Sequence, residues 1–269
     1  MMVEISGISA WTADTILALP HWIHNLTEEE APLFACLARS GRLESNEAAV
    51  TDQLDSFYSL LILVDHLIEE GPGLFLVRGV PIQGASDARL LEMCLRILRH
   101  LQAESAPVLR AREDGSIVQG ARVWPSAERG IVGADLPAGA AVGVIARPGG
   151  SKVLKAVSVA TIQNRLLRKS PDLVSALCRP PISASSGDSL GQPVFTAVDG
   201  RLACNYAFDA LTALVEAPGK IAPPQRDAFD FLGALLEESA LQLALPLEAG
   251  DLIAVNPMRC LYRFAEAAG

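Results

Sequence analysis

The chain has 269 residues, half of them hydrophobic, and a formal net charge of −9, with a pI near 5.0 and a mean hydropathy of +0.30. A phosphate-backbone partner needs clustered Lys and Arg, and no basic run of that density occurs, so nucleic-acid binding is excluded. No stretch reaches the roughly 18 uninterrupted apolar residues of a membrane span: Leu60–Val64 is stopped by Asp65 and His66, and Ala138–Ala146 by Arg147.

The first third reads as helical. "MMVEISGISA" carries Glu4 and no basic region, so it does not read as a signal peptide. "LPHWIHN" sets His21 and His24 at helical spacing beside Trp22, and these are expected to be partly buried helix histidines rather than ligands. "LTEEEAPLFACLARSG" predicts a helix with Thr27 as N-cap, Glu30 closing a capping box and Gly41 as the stop. Its Glu28-Glu29-Glu30 run sits in the first turn, where it complements the helix dipole. "TDQLDSFYSLLILVDHLIEEG" puts Leu54, Phe57, Leu61, Val64 and Ile68 on one helical face and ends at Gly71. "GLFLVRGVP" is a short buried strand closed by Gly79 and Pro81. "SDARLLEMCLRILRHL" is a helix capped by Ser86.

From about Pro107 the pattern turns to strands. "VLRAREDGSIVQGARV" predicts a hairpin at Asp114-Gly115. "AAVGVIARPGGSKVLKAVSV" reads as two strands, with "RPGGSK" as a hairpin turn, since it lacks the spacing of a phosphate-binding loop. "TIQNRLLRKS" and "PDLVSALC" are short helices, and "GQPVFTAVDGRLACNYA" is a hairpin turning at Asp199-Gly200. "PPQRDAFDFLGALLEESALQL" is a long helix with proline at its start, and "GDLIAV" is the closing strand. The expectation is one domain over residues 1–269, mainly helical in 1–105 and β-rich with a late helix in 106–269.

The five cysteines (Cys36, Cys94, Cys178, Cys204 and Cys260) are far apart and form no C-x-x-C pair. They read as reduced, mostly buried thiols of a cytoplasmic protein.

Three motifs carry a resemblance. "GPGLFLVRGVPI", "AVGVIARPGGSKVLKAVSVATIQNRL" and "LEAGDLIAVNPMRCLYRF" occur in this order. They resemble segments of the clavaminate synthase-like and taurine dioxygenase-like iron(II)/2-oxoglutarate oxygenases, and the match covers most of the chain. The resemblance implies an α+β fold: a double-stranded β-helix, or jelly roll, with flanking helices. Chemistry in that family uses two histidines and one carboxylate on one face of iron(II). The distal histidine falls at Tyr262. The window "SAERGIVGADLPAGAA", where H-x-D/E is expected, has no histidine, although Glu128 or Asp135 could stand at the carboxylate position. All four histidines, His21, His24, His66 and His100, precede residue 101. The arginine that holds the co-substrate carboxylate lies well after the distal histidine in the family. Here it is expected to be missing with its strand, a C-terminal truncation, and Arg263 sits too close to replace it.

A neutral imidazole is a good iron(II) ligand and a neutral phenol is not. The chain is therefore expected to be a pseudoenzyme, with no catalytic residues, no metal and no cofactor. It resembles the metal-less oxygenase-like peptide binders of ribosomal peptide pathways such as that of crocagin. That resemblance implies a precursor peptide or small metabolite as ligand, and biosynthetic enzymes as partners. The expected ligand-binding residues are Arg147, Asn205, Tyr206, Arg259 and Tyr262. A homodimer through an uncovered edge or apolar face is expected. The alternative is a metal-independent isomerase, lyase or cyclase drawing on Asp135, Asp209, Asn205, Tyr206, Cys260 and Tyr262. Cys260 has no histidine near it in sequence and reads as a core thiol rather than a nucleophile.

Overall fold

A computed structural model describes residues 2–40, 49–100, 122–124, 131–135, 142–146, 152–183, 187, 191–198, 200–206, 208–216 and 221–266. In chain order the elements are α1 (Ala13–Ala18), β1 (Ile23–Asn25), α2 (Ala31–Ser40), α3 (Ala49–Glu69), β2 (Leu74–Arg78) and α4 (Asp87–His100). They continue with β3 (Arg122–Trp124), β4 (Ile131–Asp135), β5 (Val142–Ala146), β6 (Lys152–Ser158), α5 (Val159–Lys169) and α6 (Pro171–Leu177). The last are β7 (Phe195–Val198), β8 (Arg201–Cys204), α7 (Phe208–Val215), α8 (Pro223–Glu237), β9 (Leu243–Pro246), β10 (Leu252–Val255) and β11 (Cys260–Glu266). The chain divides into two compact units.

One unit comprises Pro20–Val153, Pro246–Asn256 and Glu266–Gly269. Its six-stranded sheet runs β1-β2-β10-β5-β4-β3, parallel between β1 and β2 and antiparallel elsewhere. Val77, Leu252 and Ile145 form one cross-strand row, and Phe75, Ala254 and Gly143 the next. These apolar side chains join Phe34, Leu37, Phe57, Leu61 and Val64 of α2 and α3 and Leu90 and Leu91 of α4 in a single core. Leu74, Leu76, Ile253 and Val255 point the other way and are also buried. Burial on both faces explains why "LFLV" and "LIAV" are unbroken apolar runs rather than alternating ones.

The other unit comprises Met1–Leu19, Leu154–Leu245 and Pro257–Ala265. A three-stranded sheet, β11-β6-β9, and the β7-β8 hairpin lie with helices α5 to α8. Phe195, Phe208, Leu211, Phe229, Leu232 and Leu261 fill its core.

The reciprocal bonds of the capping box expected at Thr27 form, but α2 starts only at Ala31 with no acidic residue in its first turn, so Glu28–Glu30 form a turn ahead of the helix rather than its first turn. The Thr27 N–H donates to Glu30 Oε2 at 2.9 Å, and the Glu30 N–H donates to Thr27 Oγ1 at 3.2 Å. The 195–204 hairpin also forms, with Val198 opposite Arg201.

Four further expectations are corrected. "LPHWIHN" is not helical: Ile23–Asn25 is a strand, with Ile23 opposite Leu76, because parallel pairing with β2 outweighs a local spacing of three. β5 and β6 are not a hairpin pair, since β5 enters the six-stranded sheet and β6 the three-stranded one. "GDLIAV" is not the closing strand, because β11 follows the turn at Pro257. The late helix stops at Glu237, and Leu243–Pro246 of the predicted tail is β9. The hairpin expected at Asp114-Gly115 lies outside the described residues.

Candidate functional site

The site begins where β10 leaves its sheet. Asn256 is held on two sides: its N–H donates to the Gly73 carbonyl at 2.8 Å, and its Nδ2 donates to Glu69 Oε1 at 3.0 Å. The chain then turns through Pro257–Arg259 into β11. Two backbone bonds fix that turn. Cys204 N–H donates to the Met258 carbonyl at 3.1 Å, and Val159 N–H donates to the Arg259 carbonyl at 3.0 Å. The first of these places the end of β8, and so Asn205, beside the turn that carries Arg259.

Along β11 the side chains alternate. Tyr262 meets Phe264 edge to face, with ring centroids 5.8 Å apart at 70°. Leu261 and Arg263 occupy the opposite face. Leu261 enters the core, and the Arg263 guanidinium lies 4.6 Å over the Phe208 ring. Stacking of this kind engages the flat cation directly. Arg263 therefore does not share the Tyr262 face.

Asn205 and Tyr206 are tied into the loop before β7. Asn205 Nδ2 donates to the Pro193 carbonyl at 3.0 Å and to Thr196 Oγ1 at 2.8 Å. Tyr206 Oη donates to the Gln192 carbonyl at 2.8 Å. Burial pushes the Tyr206 phenol up, as does neighbouring Cys204, against the pull of the bond to Gln192. Part of the polar capacity of both residues is thus spent on shaping the loop, which leaves the partly exposed Tyr206 ring as a contact surface. Arg147 and Glu128 lie outside the described residues. Asp135 ends β4 opposite Arg122 and Val142, and Asp209 lies in the first turn of α7. Cys260 is fully buried, and burial drives its thiol far above the ordinary range. Cys204 is pushed up to about 12 for the same reason. A thiol held protonated is a poor nucleophile.

Tyr262, at which the resemblance sets the distal iron position, is packed on the Phe264 ring. His24 pairs through Nε2 with both oxygens of Glu30, at 3.1 and 2.9 Å. Among the described residues no three His, Cys, Asp or Glu side chains cluster as a metal site.

The sequence did not reveal the partnership between two of its own motifs. Arg78 of "VRG" donates from Nε to Asp251 Oδ1 at 3.1 Å and from Nη2 to Oδ2 at 3.0 Å. The "AGD" turn that carries Asp251 fits only because residue 250 is glycine. Its φ is +89°, and a Cβ there would lie 2.3 Å from the Val80 carbonyl oxygen. An arginine-glycine in one segment and a glycine-aspartate in another are the only sequence signal of this clasp.

No family model and no curated protein sequence matches the chain. Solved structures do. An asparagine oxygenase in complex with Fe(II), 2S,3S-3-hydroxyasparagine and succinate is 15% identical, with a TM-score of 0.58 over 92% of this chain and 89% of that one. The non-haem iron oxygenase OrfP is 10% identical, with a TM-score of 0.55 over 92% and 89%. OrfP in complex with Fe and L-Arg is 11% identical, with a TM-score of 0.52 over 92% and 88%. The chain shares the mixed helix-and-sheet fold of these oxygenases.

Proposed function

We propose that this protein uses a non-haem oxygenase fold, with its jelly-roll core, to bind a peptide without iron chemistry. It would present that peptide to partner enzymes of a natural-product, ribosomal-peptide pathway. The observation that carries this reading is Tyr262. A phenol stands where the fold's iron chemistry needs an imidazole, and its ring is packed on Phe264. Oxygenases of like fold are solved with hydroxyasparagine and with L-Arg. A fold that takes a free amino acid offers a seat of the right size for one side chain of a peptide. Tyr206, Arg259 and Tyr262 supply aromatic faces and a guanidinium for such a ligand, with Arg147 and Asn205 completing the proposed set. Aromatic faces give large contact area at low entropic cost. A homodimer belongs to the same reading, since among the described residues β11 is an edge strand of its sheet, and a sheet edge invites pairing. Light scattering at tens of micromolar reads the dimer directly.

The function is tested by calorimetry against the precursor peptide encoded beside the gene, followed by mass spectrometry of the recovered peptide. Binding near micromolar Kd, about 8 kcal/mol, with unchanged mass is expected. The purified protein should hold no stoichiometric iron and consume no 2-oxoglutarate. Absence of heat with any such peptide removes the binding role. A mass change with this protein alone replaces it with metal-independent catalysis.

A further inference from the structure

A second groove already holds a peptide segment, and the segment is the protein's own. Residues 3–9 lie against α5 and are gripped mainly through their backbone, while the chain turns at Gly7–Ala10 and is anchored after them by the fully buried Trp11 ring. Asn164 acts as a strand partner to Ile5: the Ile5 N–H donates to Asn164 Oδ1 at 2.7 Å, and Asn164 Nδ2 donates to the Ile5 carbonyl at 2.7 Å. Gln163 Nε2 donates to the Val3 carbonyl at 2.8 Å. Ser158 Oγ and Thr161 Oγ1 donate to the carbonyls of Ser9 and Trp11, each at 2.6 Å. All four of these α5-side residues are buried. Gln163 is also tied to β8, donating to the Gly200 carbonyl at 3.1 Å and accepting the Leu202 N–H at 2.7 Å, whereas the buried donors of Ser158, Thr161 and Asn164 are met by the segment's carbonyls, which makes a built backbone-reading surface.

The segment's own side chains contribute little. Val3 is 53% exposed and Ile8 42% exposed, while Glu4, Ser6 and Gly7 are exposed as well. One side chain is read. Arg168 grips Glu4 with Nε to Oε1 at 3.1 Å and Nη2 to Oε2 at 2.8 Å. Hydrogen bonds to the main chain give affinity without regard to sequence, as in recognition by strand addition. A bidentate Arg–carboxylate pair adds a register. A segment held this way is exchangeable for another of the same chemistry.

We infer that the groove along α5, lined by Ser158, Thr161, Gln163, Asn164 and Arg168, is a binding site for a short peptide segment. The ligand carries a carboxylate side chain immediately before the residue paired by Asn164, and residues 3–9 occupy the site in cis as its resident competitor. This goes beyond the reading above, because the site is separate from the Tyr262 face and needs none of its residues. A tethered competitor acts at a high effective concentration. The groove is therefore closed to weak ligands until the segment is loosened.

The test uses the full chain and a fluorescently labelled peptide copying residues 2–9. In the Ile5→Pro chain the cis segment loses the donor that Asn164 reads, while the groove is untouched. Anisotropy should show the peptide binding this variant at least about tenfold more tightly than the unaltered chain, as expected when a tethered competitor is weakened. A peptide with Lys in place of the Glu4 equivalent should fail on Ile5→Pro and recover on Ile5→Pro carrying Arg168→Glu. Equal binding to both chains, or none to a variant whose circular dichroism is native, overturns the inference. Hydrogen exchange on the unaltered chain is an independent check. The Ile5 amide should exchange far faster than the amides of α5. If it opens only together with α5, the segment is a fixed part of the core and the inference fails. Because the probe is the protein's own sequence, this result is readable whether or not a precursor peptide binds.

Discussion

Arg78 and Asp251 face each other across two parallel hydrogen bonds, 3.1 and 3.0 Å long, with the carboxylate fully buried. The pair joins the end of β2 to the turn before β10, two neighbouring strands inside the six-stranded sheet. Asp251 also accepts the Glu248 N–H at 2.9 Å, and Arg78 Nη1 lies 3.5 Å from Glu248. Asp251, hydrogen bonded first and charge paired second, raises the Arg78 guanidinium above its ordinary value, against the opposing effect of burial.

Arg78→Met should therefore cost about 3 kcal/mol, since removing one partner strands a buried charge. Urea unfolding followed by far-ultraviolet circular dichroism measures it. A loss below about 1 kcal/mol would place the clasp among ordinary surface ion pairs.

Two glycines with the same backbone angle separate strain from collision. Gly79 has φ +88° with nothing within 4 Å of its would-be Cβ, whereas Gly250 has φ +89° and the Val80 carbonyl oxygen at 2.3 Å. Gly79→Ala should cost about 1 kcal/mol from backbone strain alone. Gly250→Ala should cost about 3 kcal/mol or more, because it also pushes apart the Val80–Gly250 backbone bond. Thermal melts of the two variants side by side give the comparison.

Glu30 ties stability to pH. Burial pushes its carboxyl up, but the Thr27 N–H, the His24 ring and the Thr27 hydroxyl together hold it below its ordinary value of 4.5. A lowered folded value means the stabilisation is present above pH 4.5 and is lost as pH falls through the folded value. Glu30→Gln should thus be about 1 kcal/mol less stable near neutral pH and converge on the unaltered chain in more acidic solution. A difference that stays constant down to strong acid would assign the effect to packing.

Tyr262→Ala should weaken peptide binding about tenfold, while Tyr262→Phe keeps most of it, since the ring supplies the contact. Calorimetry on folded variants decides this. An equal loss in both would move the recognition to the hydroxyl.

Much of the helical third was legible because its signals are local. The Thr27–Glu30 box and the apolar face from Phe57 to Ile68 lie within a few residues of each other in the chain. The 195–204 hairpin was legible for the same reason. β1 was not, because three residues become a strand only when Leu76 is beside them. The parting of β5 from β6 into two sheets was equally hidden, as the sequence marks a reversal there but not its partners. At the candidate site, the missing histidine was plain in the sequence. That Arg263 would turn away onto Phe208, and that Asn205 would bond Pro193 and Thr196, depends on contacts made from distant segments.

The β2–β10 pair also sets the order of events during synthesis. Val77, paired on one side with His24, finds its antiparallel neighbour only when Leu252 has been made. Until then the apolar faces of α2, α3 and α4 have no completed sheet to cover. Closing so long a loop before any reward arrives slows folding and prolongs the exposure of sticky surface. The nascent chain is thus a natural client of chaperones, and a release after residue 153 should yield aggregates rather than a folded fragment.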